Sequence, residues 1–240
     1  MFLDFDGTLS PIVQDADQAR ALPGTARLLA RLGEKFARVA VISGRPVSYL
    51  ASQLGGAGAT ELIGLYGLER QRGEPPVTEE VPAAAPWRAV VDQVATAAER
   101  AASATAGLVV ERKVLGVTLH YRRAPHLAGL AAAIAAAQAA ASGLVTHPGK
   151  MSVELRPPVE TDKGTVVVDL AAGLGSVLFA GDDVGDLPAF AALAHLRGSG
   201  VTTLSVAVGG GETPAEVASE ADVVVEGPAD LTPILEALAG

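Results

Sequence analysis

Asp4-Phe5-Asp6-Gly7-Thr8 ends a short apolar run with two carboxylates one residue apart, followed by a glycine and a hydroxyl. Alternate residues of a strand share a face, but the turn after a strand can direct both acids into one crevice. Mg²⁺ prefers hard oxygen ligands, and a metal held by few carboxylates keeps positions open for substrate oxygens. Asp and Gly also occur at strand ends for turn chemistry alone. The segment therefore suits a divalent cation and a phosphoryl group only if matching residues occur elsewhere.

Composition limits the class of protein. The chain has 240 residues, 49% of them hydrophobic, so it can bury a sizeable core in one large domain or two modest ones. Its formal net charge of -9 argues against nucleic-acid and anionic-membrane partners, because no strong counterion-release term is available. The lack of cysteine excludes disulfides, thiolate catalysis and zinc-thiolate sites. We expect a globular, cytoplasmic monomer that acts on a small molecule and binds neither nucleic acid nor membrane.

Apolar runs alternate with helical patterns towards both ends of the chain. Strands are predicted at 39–42, 61–65, 176–180, 203–208 and 223–225, and helices at 25–32, 46–54, 164–172, 187–196, 215–218 and 230–238. This alternation is typical of a doubly wound parallel sheet, a Rossmann-like α/β core. Ligands of such a core bind beyond the carboxyl ends of the strands.

Two proline-rich junctions divide the chain. Residues 70–86 are rich in proline and charge and suit a linker, and Pro157-Pro158 interrupts the chain again. Between them, helices are predicted at 87–106 and 127–141, and strands at 108–113, 117–122 and 151–155. We therefore predict a core of residues 1–80 and 157–240, with an inserted smaller α/β cap domain of residues 81–156.

Four polar segments fall at or beyond predicted strand ends. They are Asp4 with Asp6, Ser43-Gly44-Arg45, Lys163-Gly164 and Asp182-Asp183. Each alone is explained by a helix cap, a turn or a surface lysine, but four in one order at four strand ends are much less easily explained in that way. This order, with an insertion between the second and third segments, resembles the haloacid dehalogenase superfamily of phosphotransferases.

The resemblance implies a role for each polar side chain. Asp4 would be the nucleophile that forms an aspartyl-phosphate, and Asp6 the general acid and base. Ser43 and Lys163 would hold the phosphoryl oxygens, supplying positive potential that this acidic chain lacks overall.

The resemblance also implies a Mg²⁺ site. Asp182 would bind the metal together with Asp4 and the main-chain carbonyl of Asp6, while Asp183 would support the ligand shell or Lys163. The metal would relieve the repulsion between the carboxylates and the phosphate.

Further motifs resemble those of one family within this superfamily. The segments 64–69, 111–113, 119–122, 149–150 and 154–157 resemble those of trehalose-6-phosphate phosphatases in order and spacing. By this likeness Lys150 and Glu154 would contact a disaccharide. The further candidates for substrate contact are Gly44, Arg45, Glu69, Lys113 and His120.

One segment departs from that family's pattern, and alternatives stay open. The chain has Val184-Gly185-Asp186-Leu187 after its late acidic pair, where the family usually has a variable residue, Thr, Asp and Glu. Phosphatases for sucrose phosphate or glucosylglycerol phosphate therefore remain alternatives. A signalling receiver domain would also use acids, a hydroxyl and a lysine, but such a domain would be about half this length with its acidic segments in the reverse order.

Overall fold

The computed structural model of the chain describes residues 1–13, 18–209 and 213–240. These residues form two compact units, one of Met1–Glu79 with Thr161–Gly240 and one of Glu80–Glu160. The boundaries expected from the sequence lie at 80/81 and 156/157, and those of the two units at 79/80 and 160/161. Pro157-Pro158 therefore belongs to the smaller unit.

Helices and strands alternate along the described chain. In chain order they are β1 Phe2–Leu3, α1 Thr25–Lys35, β2 Ala40–Ile42, α2 Val47–Leu54, β3 Glu61–Gly64, β4 Glu69–Arg72, β5 Val77–Glu80, α3 Arg88–Ala102, β6 Val109–Lys113, β7 Gly116–His120, α4 Ala128–Ser142, β8 Val145–Gly149, β9 Ser152–Arg156, α5 Lys163–Ala171, β10 Ser176–Gly181, α6 Leu187–Gly198, β11 Thr202–Val208, α7 Ala215–Ser219, β12 Val223–Val225 and α8 Pro228–Ala239. Within these described ranges, no helix is both long enough and apolar enough to cross a membrane.

One sheet holds eight strands in the order β12-β11-β10-β1-β2-β3-β4-β5. The neighbours from β12 to β3 are parallel, and β3 pairs with β4 in the antiparallel sense. In the middle of the sheet, Leu3 of β1 lies level with Ala180 of β10 and Val41 of β2. The carboxyl ends of these three strands therefore lie at the same edge of the sheet.

Helices cover both faces of the large sheet because its central strands are apolar on both sides. Leu3 belongs to a buried cluster with residues of α1, α2 and α8, whereas Phe2 belongs to a second cluster with residues of α5 and α6. Successive residues of a strand point to opposite faces, so even the two-residue strand β1 contributes to both clusters. Continuous apolar strands of this kind are needed when both faces of a parallel sheet are covered.

The smaller unit contains a four-stranded antiparallel sheet in the order β6-β7-β9-β8. Its helices α3 and α4 pack on one face, where Val117, Leu119 and Leu155 join their alanine and valine side chains in a buried cluster. The alternate strand residues point away from the helices. The predicted fold class, a doubly wound parallel α/β core with a smaller inserted α/β unit, is confirmed.

Two predictions about local structure were wrong. Residues 70–86 are not a simple linker, because they contain most of β4 and all of β5 at the edge of the large sheet. The strand β5 is at the edge of the sheet and β4 is next to it, and both expose charged residues, so these two strands lack the apolar pattern of the central strands. The strand β8 was missed for a related reason, since it is an edge strand that contains Pro148, and proline is accepted in sheets mainly at edges.

Candidate active site

The central strands of the large sheet bring three polar side chains to one edge. Asp4 follows β1, Ser43 follows β2, and Asp182 follows β10, which is the other neighbour of β1 in the sheet. All three residues are buried. The register of the strands, rather than any local motif, places these segments side by side.

Lys163 links two of the buried acids. It is the first residue of α5, and its Nζ lies 2.7 Å from Oδ1 of Asp4 and 2.6 Å from Oδ1 of Asp186. The exposed fractions of the three side chains are 4%, 5% and 0%. Such short contacts between charged groups away from water are the strong kind of hydrogen bond.

Asp186 is held by the backbone of the loop after β10. Its Oδ2 accepts hydrogen bonds from the N–H groups of Asp182, at 2.9 Å, and Asp183, at 3.1 Å. A Cβ on Gly181 would lie only 2.3 Å from Cγ of Asp186, so a glycine is required for this close approach. The carboxylate of Asp183 itself accepts the N–H of Gly185 at 2.8 Å and caps the turn.

Three carboxylates in this edge can reach one ion. Within the described residues, Asp4, Asp182 and Asp186 each offer an oxygen within 4.8 Å of the others. Asp6 and Asp183, which were predicted to contribute to the metal site, offer no side-chain oxygen to this group. We call Asp4, Lys163, Asp182 and Asp186 the acid edge.

The charges of the acid edge are not balanced by Lys163 alone. Burial raises the pKa of Asp4 well above its ordinary value although Lys163 opposes the shift, and burial likewise raises the pKa of Asp186. Burial by itself would lower the pKa of Lys163, because it disfavours the charged ammonium. The negative charges of Asp186 and Asp4 have the larger effect and raise the pKa of this lysine. When all three carboxylates are ionised, one ammonium leaves two negative charges, which a divalent cation with oxygen ligands would neutralise.

Gly7 allows the first acidic segment to approach the last. Its φ is +79°, and a Cβ at this position would lie 2.2 Å from Cγ of Asp182. A side chain would therefore collide with a carboxylate of the acid edge. This contact gives a physical reason for a glycine directly after the two acids.

Asp6 lies beside the acid edge and is paired with Arg45. The Nε and Nη2 atoms of Arg45 lie 2.8 Å from the two carboxylate oxygens of Asp6 in a bidentate pair. Asp6 keeps 40% of its side chain exposed, whereas Arg45 keeps 11%. Ser43 accepts the backbone N–H of Arg45 on its Oγ at 3.1 Å, so its hydroxyl proton can be donated elsewhere.

Two other candidates have contacts within the larger unit. Glu69 is buried, and its Oε2 accepts the N–H of Val47 at 2.8 Å, so it caps the start of α2. A Cβ on Gly44 would lie 2.6 Å from the phenol oxygen of Tyr66. The structure thus gives Glu69 a structural contact that the sequence did not reveal, and packs Tyr66 against the backbone after β2.

The candidates in the smaller unit share one sheet face. Lys113, His120 and Glu154 lie at alternate positions to the strand residues that contact the helices, so they point away from α3 and α4. Nζ of Lys113 lies 2.7 Å from Oε1 of Glu154, and Nε2 of His120 lies 2.7 Å from Oε2 of Glu111. We call these four residues the polar face. Lys150 lies in the turn between β8 and β9.

Residues 2–224 match the family described as trehalose-phosphatase. The chain belongs to this family. It is 36% identical over 203 residues to a trehalose-phosphate phosphatase of Mycolicibacterium paratuberculosis, covering 80% of this chain and 51% of that protein. It is 35% identical over 199 residues to one of Mycobacterium tuberculosis, covering 79% of this chain and 50% of that protein. The chain thus spans about half the length of the curated relatives it matches.

Solved structures of this family are similar to the chain over nearly its whole length. A trehalose-6-phosphate phosphatase related protein has a TM-score of 0.83 at 25% identity, covering 99% of this chain and 96% of that one. The C-terminal domain of the Candida albicans trehalose-6-phosphate phosphatase has a TM-score of 0.78 at 24% identity, covering 100% and 91%. The second likeness bears on the fold alone, and the first agrees with the family membership of the chain.

Two side chains of the site were not among the residues predicted from the sequence. Asp186 was noted only as a remnant of the late acidic motif, although its position four residues after Asp182 places it in the same loop. Glu111 stands two residues before Lys113 on β6, and this spacing puts both side chains on one face. The alternation of side chains along β6 could have predicted Glu111, and the short distance in sequence from Asp182 could have predicted Asp186.

Proposed function

We propose that the chain is a Mg²⁺-dependent phosphatase that hydrolyses trehalose 6-phosphate to trehalose and phosphate. The observation that carries this proposal is the buried contact of Lys163 with both Asp4 and Asp186, next to Asp182, at the carboxyl ends of the central strands. The family membership supports the same reaction. The phosphatase activity and the identity of the sugar both belong to the proposal.

Asp4 is the proposed nucleophile. Lys163 holds one oxygen of its carboxylate, which orients the other for attack on phosphorus. As the new bond from Asp4 to phosphorus forms, the bond from phosphorus to the sugar oxygen breaks, and Asp6 gives its proton to that oxygen. Water then attacks the aspartyl-phosphate, Asp6 takes a proton from the water, and the carboxylate of Asp4 is restored.

The phosphoryl group needs positive partners in an acidic chain. Lys163 supplies a full charge, and the hydroxyl of Ser43 supplies a hydrogen bond at the end of the neighbouring strand. Asp4, Asp182 and the main-chain carbonyl of Asp6 would hold Mg²⁺, which when bound would neutralise the charge that Lys163 leaves unbalanced. Asp186 would not need to bind the metal directly, because Lys163 and two N–H groups already occupy its oxygens.

The polar face supports a sugar substrate. Lys113, His120, Glu111 and Glu154 supply hydrogen-bond donors and acceptors that suit the many hydroxyls of a disaccharide. We assign Lys150 and Glu154 as contacts of trehalose on the strength of the family likeness. Sucrose phosphate and glucosylglycerol phosphate remain the competing substrates, since they offer the same kinds of hydroxyl.

Phosphate release from a panel of esters tests this function. The panel consists of trehalose 6-phosphate, sucrose phosphate, glucosylglycerol phosphate and p-nitrophenyl phosphate, each with Mg²⁺ and with a chelator. We expect the highest kcat/KM with trehalose 6-phosphate, and loss of turnover when the metal is removed. A preference for another sugar phosphate would contradict the proposed substrate but not the proposed phosphatase activity. If no ester released phosphate, both proposals would be contradicted.

A further inference from the structure

Tyr49 connects three separate segments of the larger unit. It lies in the first turn of α2, and its hydroxyl donates a hydrogen bond of 2.5 Å to the carbonyl oxygen of Ala19. The guanidinium carbon of Arg45 lies 4.6 Å from the centre of its ring. The ring of Phe5 meets it edge to face, with centroids 5.9 Å apart and an interplanar angle of 87°. The hydroxyl and the ring of Tyr49 are therefore both held by contacts with other segments.

Both ring contacts lead to the first acidic segment. Phe5 stands between Asp4 and Asp6 in the chain, so its ring anchors the backbone that carries both acids. Arg45 reaches the same segment from the other side, through its two bonds of 2.8 Å to Asp6. A single side chain on α2 thus touches the acidic segment directly through Phe5 and indirectly through Arg45.

The contact with Arg45 matters because Asp6 is the most exposed of the paired acids at this site. With 40% of its side chain accessible, its carboxylate has room to rotate, and the bidentate pair with Arg45 sets its plane. An arginine can fix a carboxylate only if its own long side chain is fixed. The aromatic face of Tyr49 provides that support, since a guanidinium stacks favourably on an aromatic ring.

We propose that Tyr49 is a positioning residue that acts through Arg45 on Asp6. The inference rests on the proposed role of Asp6 as proton donor to the departing sugar oxygen. One bond of the bidentate pair must open when the ester oxygen arrives. An arginine that stays stacked on Tyr49 keeps the other bond, so Asp6 turns about a fixed point and stays within hydrogen-bond reach of the oxygen.

Two esters with different leaving groups separate this role from a purely structural one. A sugar alkoxide needs a proton as it departs, whereas p-nitrophenolate leaves readily without one. The ratio kcat/KM covers the steps up to phosphoryl transfer to Asp4, which include the donation of that proton. Misplacement of Asp6 therefore lowers kcat/KM for trehalose 6-phosphate much more than for p-nitrophenyl phosphate.

Two substitutions of Tyr49 separate the contribution of its ring from that of its hydroxyl. Tyr49→Leu removes the ring that supports Arg45, and we expect kcat/KM for trehalose 6-phosphate to fall about 10-fold or more while that for p-nitrophenyl phosphate falls less than about threefold. Tyr49→Phe keeps the ring and removes only the contacts of the hydroxyl, which are the hydrogen bonds with Ala19 and Arg20. This conservative variant should keep the wild-type ratio between the two esters.

Phe36→Leu is the matched control. Phe36 packs half-buried against the same apolar cluster as Tyr49 but follows the end of α1. It should leave the ratio unchanged even if it lowers the thermal midpoint as much as Tyr49→Leu does. Equal losses on both esters in Tyr49→Leu, or no loss on either, would overturn the positioning role. A wild-type protein inactive on both esters would contradict the proposed function, and with it the role of Asp6 assumed here.

Discussion

The acid edge of the larger unit and the polar face of the smaller unit hold their charges in different ways. The acid edge is assembled from the loops that follow β1 and β10 and from the start of α5, and one lysine contacts two carboxylates there. The polar face is made by alternate residues of neighbouring antiparallel strands, and its charges form separate pairs. The first arrangement depends on the topology of the whole unit, whereas the second depends on the choice of side chains along a few strands.

This difference suggests a division of function. If the acid edge carries out the phosphoryl transfer, a change there should affect every ester, because all esters share the phosphoryl group. If the polar face binds the sugar, a change there should affect only esters that carry the sugar. The following experiments test this division, beginning with the largest expected effect.

Asp4→Asn tests the acid edge most directly. An amide cannot serve as the nucleophile, so we expect turnover of both trehalose 6-phosphate and p-nitrophenyl phosphate to fall by more than about 10³-fold. Phosphate release under Mg²⁺ measures the effect, and far-UV circular dichroism should show the wild-type helix content. Substantial turnover of either ester by the folded variant would remove Asp4 from its proposed role.

Lys163→Met and Lys113→Met compare the stability of the two regions. Lys163→Met leaves the buried carboxylates of Asp4 and Asp186 without their ammonium, so we expect the free energy of unfolding to fall by about 3–5 kcal/mol. Lys113→Met should lower it less, by about 1–3 kcal/mol, since Arg156 stays 3.8 Å from Glu154.

Urea denaturation can assign each effect to its unit. The only tryptophan of the chain, Trp87, packs on the core of the smaller unit, so its fluorescence reports on that unit. Lys113→Met should shift the fluorescence transition, and Lys163→Met should shift the transition seen by circular dichroism with little change in fluorescence. The reverse assignment would contradict the view that each lysine stabilises only its own unit.

Mg²⁺ should stabilise the protein more as the pH rises. Burial raises the pKa of Asp4 and of Asp186, so without metal the folded state binds protons more tightly than the unfolded chain, in which an aspartate titrates near about 3.9. The contribution of these groups to stability is therefore complete below about pH 4 and is lost as the pH rises through their folded pKa. A bound divalent cation would replace the missing protons.

Thermal midpoints with Mg²⁺ and with a chelator, measured at pH 5 and pH 7.5, give this comparison. At Mg²⁺ concentrations about 100 times Kd, we expect the metal to raise the free energy of unfolding by about 2.7 kcal/mol at pH 7.5, and by less at pH 5. The thermal midpoint should rise accordingly. Asp182→Asn should abolish most of the gain. A gain that is independent of pH, or that survives this substitution, would show that the metal binds elsewhere.

The sequence predicted the acid edge better than it predicted the contacts within it. Apolar runs such as 39–42 and 176–180 located the central strands, and the acids after them followed from the rule that parallel strands end at one edge. The pairing of Arg45 with Asp6, and the return of Asp186 towards Lys163, depend on rotamers and loop conformations that no local pattern encodes. Edge strands such as β8 were missed because exposed strands lack the apolar signal of buried ones.

Glu154→Gln is expected to have the smallest effect, and it tests the polar face. The amide keeps the size of the side chain but loses the charge that pairs with Lys113, so we expect KM for trehalose 6-phosphate to rise about 10-fold. Turnover of p-nitrophenyl phosphate, which lacks the sugar, should change little. Glu99→Gln provides the control, because Glu99 lies on α3 in the same unit and pairs with Arg112 on the helix side of the sheet. If Glu154→Gln slowed both esters alike, the polar face would affect catalysis as well as sugar binding, and the division between the two regions would fail.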